Sequence, residues 1–241
     1  IVKDEMVEIR EKYADERRTE IVASANEFNP EDFYANEDVV ITISHLGYIK
    51  RTSLSEYRTQ NRGGVGVKGS STRDEDFIEY IYIASMHDTM LLFTEKGRCH
   101  WLKVYDIPEG TRASKGRAVQ NVINIAPDDR IRAYLNVKQL NDKEYAENHY
   151  VVMCTANGII KKTSLEEYSR PRTNGVNAIT VKDDDMLLTA LITSGNSEIL
   201  MAARNGKAIR FHESNVRSIG RTGVGVKGIE LEDDDRVVGM I

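Results

Sequence analysis

Four glycines, Gly47, Gly97, Gly158 and Gly206, recur at a spacing of roughly 50 residues, somewhat longer between the second and third, each between short apolar runs rich in β-branched residues. Asn157-Gly158 and Asn205-Gly206 are the strongest of the four as hairpin signals, because a tight turn needs a positive φ that Gly and Asn adopt at little cost. A second glycine, Gly66, Gly116, Gly175 or Gly225, follows each first one at a nearly constant offset. Two registers locked together define a repeat. A unit of about 50 residues made of several short strands buries a core only against its neighbours, which predicts an all-β, propeller-like array of four blades.

The repeats are read as residues 37–73, 74–127, 128–182 and 183–236, each boundary marked by acids such as Asp128-Asp129 and Asp183-Asp184-Asp185. The longer third interval is assigned to a polar surface loop over 136–149. Val237–Ile241 reads as a further strand with nothing after it to pair with, an edge that predicts continuation of the natural chain. Ahead of the repeats, Val2, Met6, Ile9 and Tyr13 fall on one helical stripe within residues 1–22, and 26–36 reads as a linker. The predicted division is therefore 1–36 as helix and linker, and 37–241 as the β domain. With 40% hydrophobic residues the chain can build a real core. It has no apolar run approaching the ~20 residues of a membrane span and its first residues are charged, so a cytoplasmic protein is expected. Cys99 and Cys154 lie in strands of different repeats and read as small buried hydrophobes.

The net charge of −5 comes from the first 36 residues, which hold ten acids against five bases; the rest is balanced at 28 of each. A polyanion site must therefore come from segregation of charge. Each repeat does segregate it, in a glycine-containing loop carrying Arg58, Arg62, Lys68 and Arg73; Arg112, Lys115 and Arg117; Arg170 and Arg172; or Arg217, Arg221 and Lys227. One such loop is ordinarily a solvated turn, but four in phase predict a continuous basic rim. Duplex DNA, with a phosphate charge every ~1.7 Å of its axis, would gain affinity there through counterion release. The glycines would let the backbone approach phosphates closely.

Competing chemistries are weaker. Gly64–Gly69 and Gly223–Gly228 both fit G-x-G-x-x-G, but no helical period follows either copy, as a dinucleotide site requires. The Asp runs lack the alternating oxygen ligands of a calcium loop and read as exposed turns. His45, His87, His100, His149 and His212 have no metal-ligand spacing, and no set of nucleophile, base and orienter is present. Tyr57 and Tyr168 recur in Ser-Leu-Ser-Glu-Tyr and Ser-Leu-Glu-Glu-Tyr, a repetition that favours a structural role such as closing a blade.

Residues 37–50, Glu-Asp-Val-Val-Ile-Thr-Ile-Ser-His-Leu-Gly-Tyr-Ile-Lys, followed by Gln60-Asn61-Arg62-Gly63-Gly64-Val65-Gly66, closely resemble the start of the C-terminal DNA-wrapping domains of the DNA gyrase A family. Glu16–Ile21 is similar to the end of that family's breakage-reunion domain, and the likeness runs through Ala156-Asn157-Gly158 and Ser214–Arg217. The resemblance implies a β-pinwheel, a disc usually of six blades of which four are read here, whose basic rim wraps DNA so that ATP-driven strand passage introduces negative supercoils. It implies Gln60, Arg62, Gly63, Gly64 and Gly66 as DNA-binding residues. Asn61 and Val65 stand where the family's wrapping motif has cations, with Lys68 as a stand-in. It implies no catalytic residue, metal or cofactor within these residues. The parent enzyme, a type IIA DNA topoisomerase, would use ATP and Mg and pair with the gyrase B protein in an A2B2 assembly. The corresponding C-terminal domain of topoisomerase IV and a protein-interaction propeller are the alternatives.

Overall fold

The computed structural model describes residues 2–16, 18–19, 29–57, 75–138 and 140–241. It divides into two compact units, Ile1–Phe33 and Tyr34–Ile241. In the first, helix α1 spans Val2–Tyr13, with acids Asp4 and Glu5 in its first turn and bases Arg10 and Lys12 in its last, the order that complements the helix dipole. Its apolar stripe, Val2, Met6, Ile9 and Tyr13, is exposed.

The second unit is built from four modules. The first supplies strands β1 (Asp38–Ser44), β2 (Tyr48–Ser53) and β3 (Ile78–Ser85). The second supplies β4 (Thr89–Thr94), β5 (Arg98–Lys103), β6 (Arg117–Ala118) and β7 (Ile131–Val137). The third has β8 (Tyr150–Thr155), β9 (Ile159–Ser164), β10 (Val176–Asn177) and β11 (Leu187–Thr193), and the fourth β12 (Glu198–Ala203), β13 (Ala208–His212), β14 (Val226–Lys227) and β15 (Val237–Met240). In every module the first two strands form a hairpin and the last returns antiparallel beside the first. The short strand leaves its own module. β6 pairs with β2, β10 with β5 and β14 with β9, so each of the first three sheets is completed by two residues from the module that follows. This exchange of strands between neighbouring blades makes a pinwheel.

The strand pairing and element order depart from the sequence expectations in three places. The modules run from hairpin to return strand, so residues 78–85 complete the first sheet and do not open the second repeat. Val237–Met240 is likewise not an unpaired strand but the return strand of the fourth sheet, held against β12. Residues 136–149 are not a polar loop throughout. Asn136 and Val137 end β7, and Lys143–Asn148 forms helix α2, capped by Asp142, whose carboxylate accepts the Tyr145 N–H at 3.1 Å. Leu140 and Ala146 are buried there and anchor the segment.

The return strands β7, β11 and β15 lie side by side, placing the exchanged strands on the opposite, outer edges of their sheets. Cores form between successive sheets. On β4, Met90 and Leu92 face the first sheet while Leu91 and Phe93 face the third; on β8, Val151 and Met153 face one way, Val152 and Cys154 the other. Strands buried on both faces read as continuous apolar runs, with each large side chain contributing about 1.5–3 kcal/mol on burial. Cys99 and Cys154 are buried free thiols in two different cores, and burial pushes the Cys154 thiol up to about 12.

The acidic turns have a structural use that composition does not reveal. One carboxylate in each turns back onto its module's hairpin: Asp76 accepts the N–H of Leu46, Asp129 that of Lys96, Asp185 that of Asn157 and Asp235 that of Asn205, at 2.9–3.2 Å. Each also accepts the N–H of its own following residue. Asp129 and Asp235 are buried, so these two are not exposed turn residues. Asp185→Ala is expected to cost about 1–3 kcal/mol, because it leaves two N–H groups without their acceptor. Asp183→Ala should stay within about 0.5 kcal/mol, as surface substitutions do. Urea midpoints of the two variants check this.

Candidate nucleic-acid interface

Three of the sequence-predicted basic loops are described, and the chain builds all three in the same way. Each leaves a 3-10 turn (Val104–Asp106, Leu165–Tyr168 or Glu213–Asn215), runs along the outer edge of the preceding sheet, and ends in the exchanged strand. Gly116, Gly175 and Gly225 sit where the chain joins that edge, at φ of +79°, +68° and +101°. A Cβ at these positions would lie 2.6 Å from the Ile49 carbonyl oxygen, 2.8 Å from that of Cys99 and 2.5 Å from that of Ile160. In each case this is the residue two after the preceding hairpin glycine. The second glycine of each of these repeats is thus a close approach between modules. The carbonyls of hairpin glycines Gly47, Gly97 and Gly158 then accept the N–H groups of Val119, Ala178 and Gly228, just past the exchanged strands, at 2.8–2.9 Å. The second G-x-G-x-x-G string, Gly223–Gly228, belongs to such a loop and runs into β14.

Side chains of the second hairpin strand complete each junction. Four residues after the hairpin glycine, Arg51 donates from Nε to the Ile107 carbonyl at 2.8 Å and Trp101 donates from Nε1 to that of Tyr168 at 2.8 Å. At the third junction Lys162 pairs with Glu213 at 3.0 Å, both nearly or wholly buried. Lys162 also lies over the Tyr150 ring, 4.2 Å from its centre. Burial would raise the Glu213 carboxyl, but hydrogen bonds from Thr193, Lys162 and the Ser197 N–H, with the ammonium charge, hold it below the usual range. Tyr168 is wholly buried and packs edge-on against Phe93, whereas Tyr57 lies beneath the Arg112 guanidinium, 6.0 Å from ring centre to Cζ.

One residue earlier, Lys50 and Lys161 are almost wholly buried. Lys50 donates to the carbonyls of Thr111, Arg112 and Ser114 in the next module's loop at 2.8, 3.0 and 2.9 Å. Lys161 donates to those of Ala178 and Arg221. Burial, outweighing the opposing Glu167 carboxylate, lowers the Lys161 ammonium to about 8. The same place in the second blade holds buried His100, whose ring lies against Gly175. Burial, and next the Arg98 guanidinium, lower its pKa below the usual imidazole value, with Asp129 acting in the opposite sense. Below pH ~6.5 the unfolded chain takes up a proton that folded His100 refuses, so stability is lost as pH falls toward the lowered value. Urea midpoints at pH 7.5 and 5.5 should converge in His100→Gln relative to the parent.

The outward-facing cations differ in how free they are. Lys115, Arg117, Arg170, Arg172 and Arg217 are exposed, and Arg112 is half-buried. Arg221 is held at 3.3 Å by Glu167 of the preceding module, and Lys227 at 3.4 Å by Glu230. These two are partly neutralised. The remaining predicted site residues, Arg58, Gln60, Arg62, Gly63, Gly64, Gly66, Lys68 and Arg73, lie outside the described residues, as do Asn61 and Val65. What sequence reading missed is the set of inward cations. Ile49-Lys50-Arg51-Thr52-Ser53-Leu54 recurs as Ile160-Lys161-Lys162-Thr163-Ser164-Leu165, and a doubled cation repeated in phase within a strand is the signal that could have flagged them.

The four modules coincide with four successive matches, over residues 38–85, 88–137, 149–194 and 197–241, to the family model described as DNA gyrase C-terminal domain, beta-propeller. The chain belongs to that family. The A subunit of DNA gyrase from Salmonella typhimurium is 44% identical over the whole chain, and that from Staphylococcus epidermidis 45%. The chain spans about a quarter of the length of these relatives, 27% and 26%. Among solved structures, the C-terminal domain of DNA topoisomerase IV aligns over 86% of this chain and 61% of its own, with TM-score 0.70 and 32% identity. The gyrase A C-terminal domain aligns over 85% and 64%, with TM-score 0.66 and 25% identity. This gyrase C-terminal domain is thus a β-pinwheel, and its sequence similarity to gyrase A extends over its whole length.

Proposed function

We propose that this domain binds duplex DNA along its outer edge and bends it, acting as the non-catalytic wrapping module in the A subunit of a DNA gyrase. One observation carries the reading: three loops rich in Arg and Lys are each delivered to the outer edge of a neighbouring sheet by the same strand exchange. Successive loops on successive blades offer an extended track for a polyanion, and phosphate contacts of this kind position a duplex without reading its sequence. In the whole enzyme the bent segment would be presented for strand passage, with ATP and Mg serving chemistry outside these residues and the gyrase B protein as partner in the cytoplasm. The sequence adds Arg58, Gln60, Arg62, Gly63, Gly64, Gly66 and Lys68, outside the described residues, as further proposed DNA contacts.

Arg112, Lys115 and Arg117 changed together to Glu are expected to weaken duplex binding about tenfold or more. They should also lower the slope of log affinity against log salt by up to about 2.7, roughly 0.9 for each phosphate no longer neutralised. The matching control is Asp183 and Asp184 changed to Ala, leaving Asp185 on its hairpin. Equal effects of the two, or no salt-dependent binding by the parent, would favour a protein-interaction propeller. Asn61 and Val65, uncharged where the family's wrapping motif has cations, support a second reading in which DNA is bound but little wrapped, and the likeness to the topoisomerase IV domain gives that enzyme as the alternative parent. Religation of a nicked circle with the domain bound distinguishes them: a linking-number shift supports wrapping, and unchanged topology with intact binding supports the second.

A further inference from the structure

We infer that three cations of the second hairpin strands, buried Lys50 and Lys161 and half-buried Arg98, are positioning residues for the DNA-binding loops, each holding the loop that the next module lays across its sheet. This rests on the DNA-binding reading above and adds to it the part of the blade that shapes the track. At all three described junctions a cation donates to carbonyls of the next module's loop, from the third residue after the hairpin glycine in Lys50 and Lys161 and from the first in Arg98. Lys50 reaches three loop carbonyls, those of Thr111, Arg112 and Ser114. Arg98 donates from one terminal nitrogen to the carbonyls of Asn174 at 2.7 Å and Gly175 at 3.3 Å, where its blade has His100 in place of a lysine. Lys161 reaches Arg221 in the fourth module and ties it to Ala178 in its own.

Polarity explains why a cation is needed. A loop that presents Arg and Lys to a polyanion works best with its carbonyl oxygens turned away from the phosphates, since their partial negative charge opposes binding. Several carbonyls gathered inward are costly to bury unless donors meet them, and an ammonium brings three donors and a full charge to one point. Lys50 is 1% exposed and Lys161 0%, so neither can reach a phosphate itself. Their influence on DNA passes through the backbone of Arg112 and its neighbours in one loop, and of Arg221 in another.

Direct contact and positioning differ in the salt slope. An exposed contact residue, changed in Lys115→Met, removes one phosphate contact and should lower the slope by about 0.9. Lys50→Met removes a charge that touches no phosphate, yet is expected to lower the slope by about 1.8 or more, because Arg112, Lys115 and Arg117 lose their common geometry. Affinity should fall about tenfold or more at ~0.1 M salt. A Lys50→Met protein that unfolds cooperatively and keeps the parent's slope would overturn the inference. A parent domain without salt-dependent duplex binding would instead overturn the functional reading beneath it. Should Lys50→Met fail to fold, Arg98→Met reads the same effect on the loop of Arg170 and Arg172, since Arg98 is only half-buried. An unchanged slope there counts equally against the proposal, and a drop exceeding that of Lys115→Met supports it.

Discussion

Replacing Glu213 with alanine is expected to cost about 3–5 kcal/mol of folding stability, because it leaves the Lys162 ammonium buried without its counter-ion. Glu213 is wholly buried on the 3-10 turn of the fourth module. Its carboxylate accepts the Thr193 hydroxyl at 2.8 Å and the Ser197 N–H at 2.7 Å, besides pairing with Lys162 on β9. Its removal therefore orphans three donors from two modules at once. Lys162→Met with Glu213→Gln removes both charges while keeping an acceptor for Ser197, and should recover most of the loss, as exchanges of whole buried pairs generally do. The pH dependence follows from the lowered carboxyl. Above the usual Glu range near 4.3 the contribution is fully present, and it is lost as pH falls through the folded value below that. Chemical denaturation of the parent, Glu213→Ala and the double variant, at pH 7 and below pH 4, tests both statements. A Glu213→Ala protein as stable as the parent would contradict them.

Gly225→Ala is the second large effect, expected at about 2–5 kcal/mol, whereas Gly206→Ala is expected at about 1–3 kcal/mol. Both glycines have strongly positive φ, +101° and +90°, so both substitutions incur backbone strain. They differ in surroundings. A Cβ at Gly225 would stand 2.5 Å from the Ile160 carbonyl oxygen and 2.9 Å from the Ile159 side chain, while at Gly206 nothing lies within 4 Å. Since the first obstacle at Gly225 is backbone, relief requires the exchanged strand β14 to move off β9. The loop bearing Arg217, Arg221 and Lys227 would move with it, so Gly225→Ala should also weaken duplex binding under conditions where Gly206→Ala does not. Equal destabilisation by the two would show that strain alone, without close approach of modules, accounts for the second glycine.

Much of this architecture was legible in particular residues. The hairpins at Gly47, Gly97, Gly158 and Gly206 announce themselves because positive φ restricts residue choice locally, and all four have φ between +80° and +90°. The cores follow from apolar runs such as Met90–Phe93, long enough to be buried on both faces. The family resemblance lies in the same local strings. Helix α2 was missed because it is only six residues long and is held by one capping aspartate and two buried side chains, Leu140 and Ala146. The capping role of Asp76, Asp129, Asp185 and Asp235 was missed because acids in a run look solvated when read one at a time.

Local chemistry alone thus determined that the chain makes a series of similar hairpin modules, with a glycine wherever the backbone must turn tightly or be approached closely. Which sheet each short strand joins was decided only by the tertiary structure. Arg117–Ala118, Val176–Asn177 and Val226–Lys227 are two residues each, paired antiparallel with partners in the preceding module and far away in sequence. Pairing of that kind leaves no periodicity to read. Yet it carries the basic loops to the outer edge and turns Lys50 and Lys161, which look like surface cations, into the buried supports beneath them.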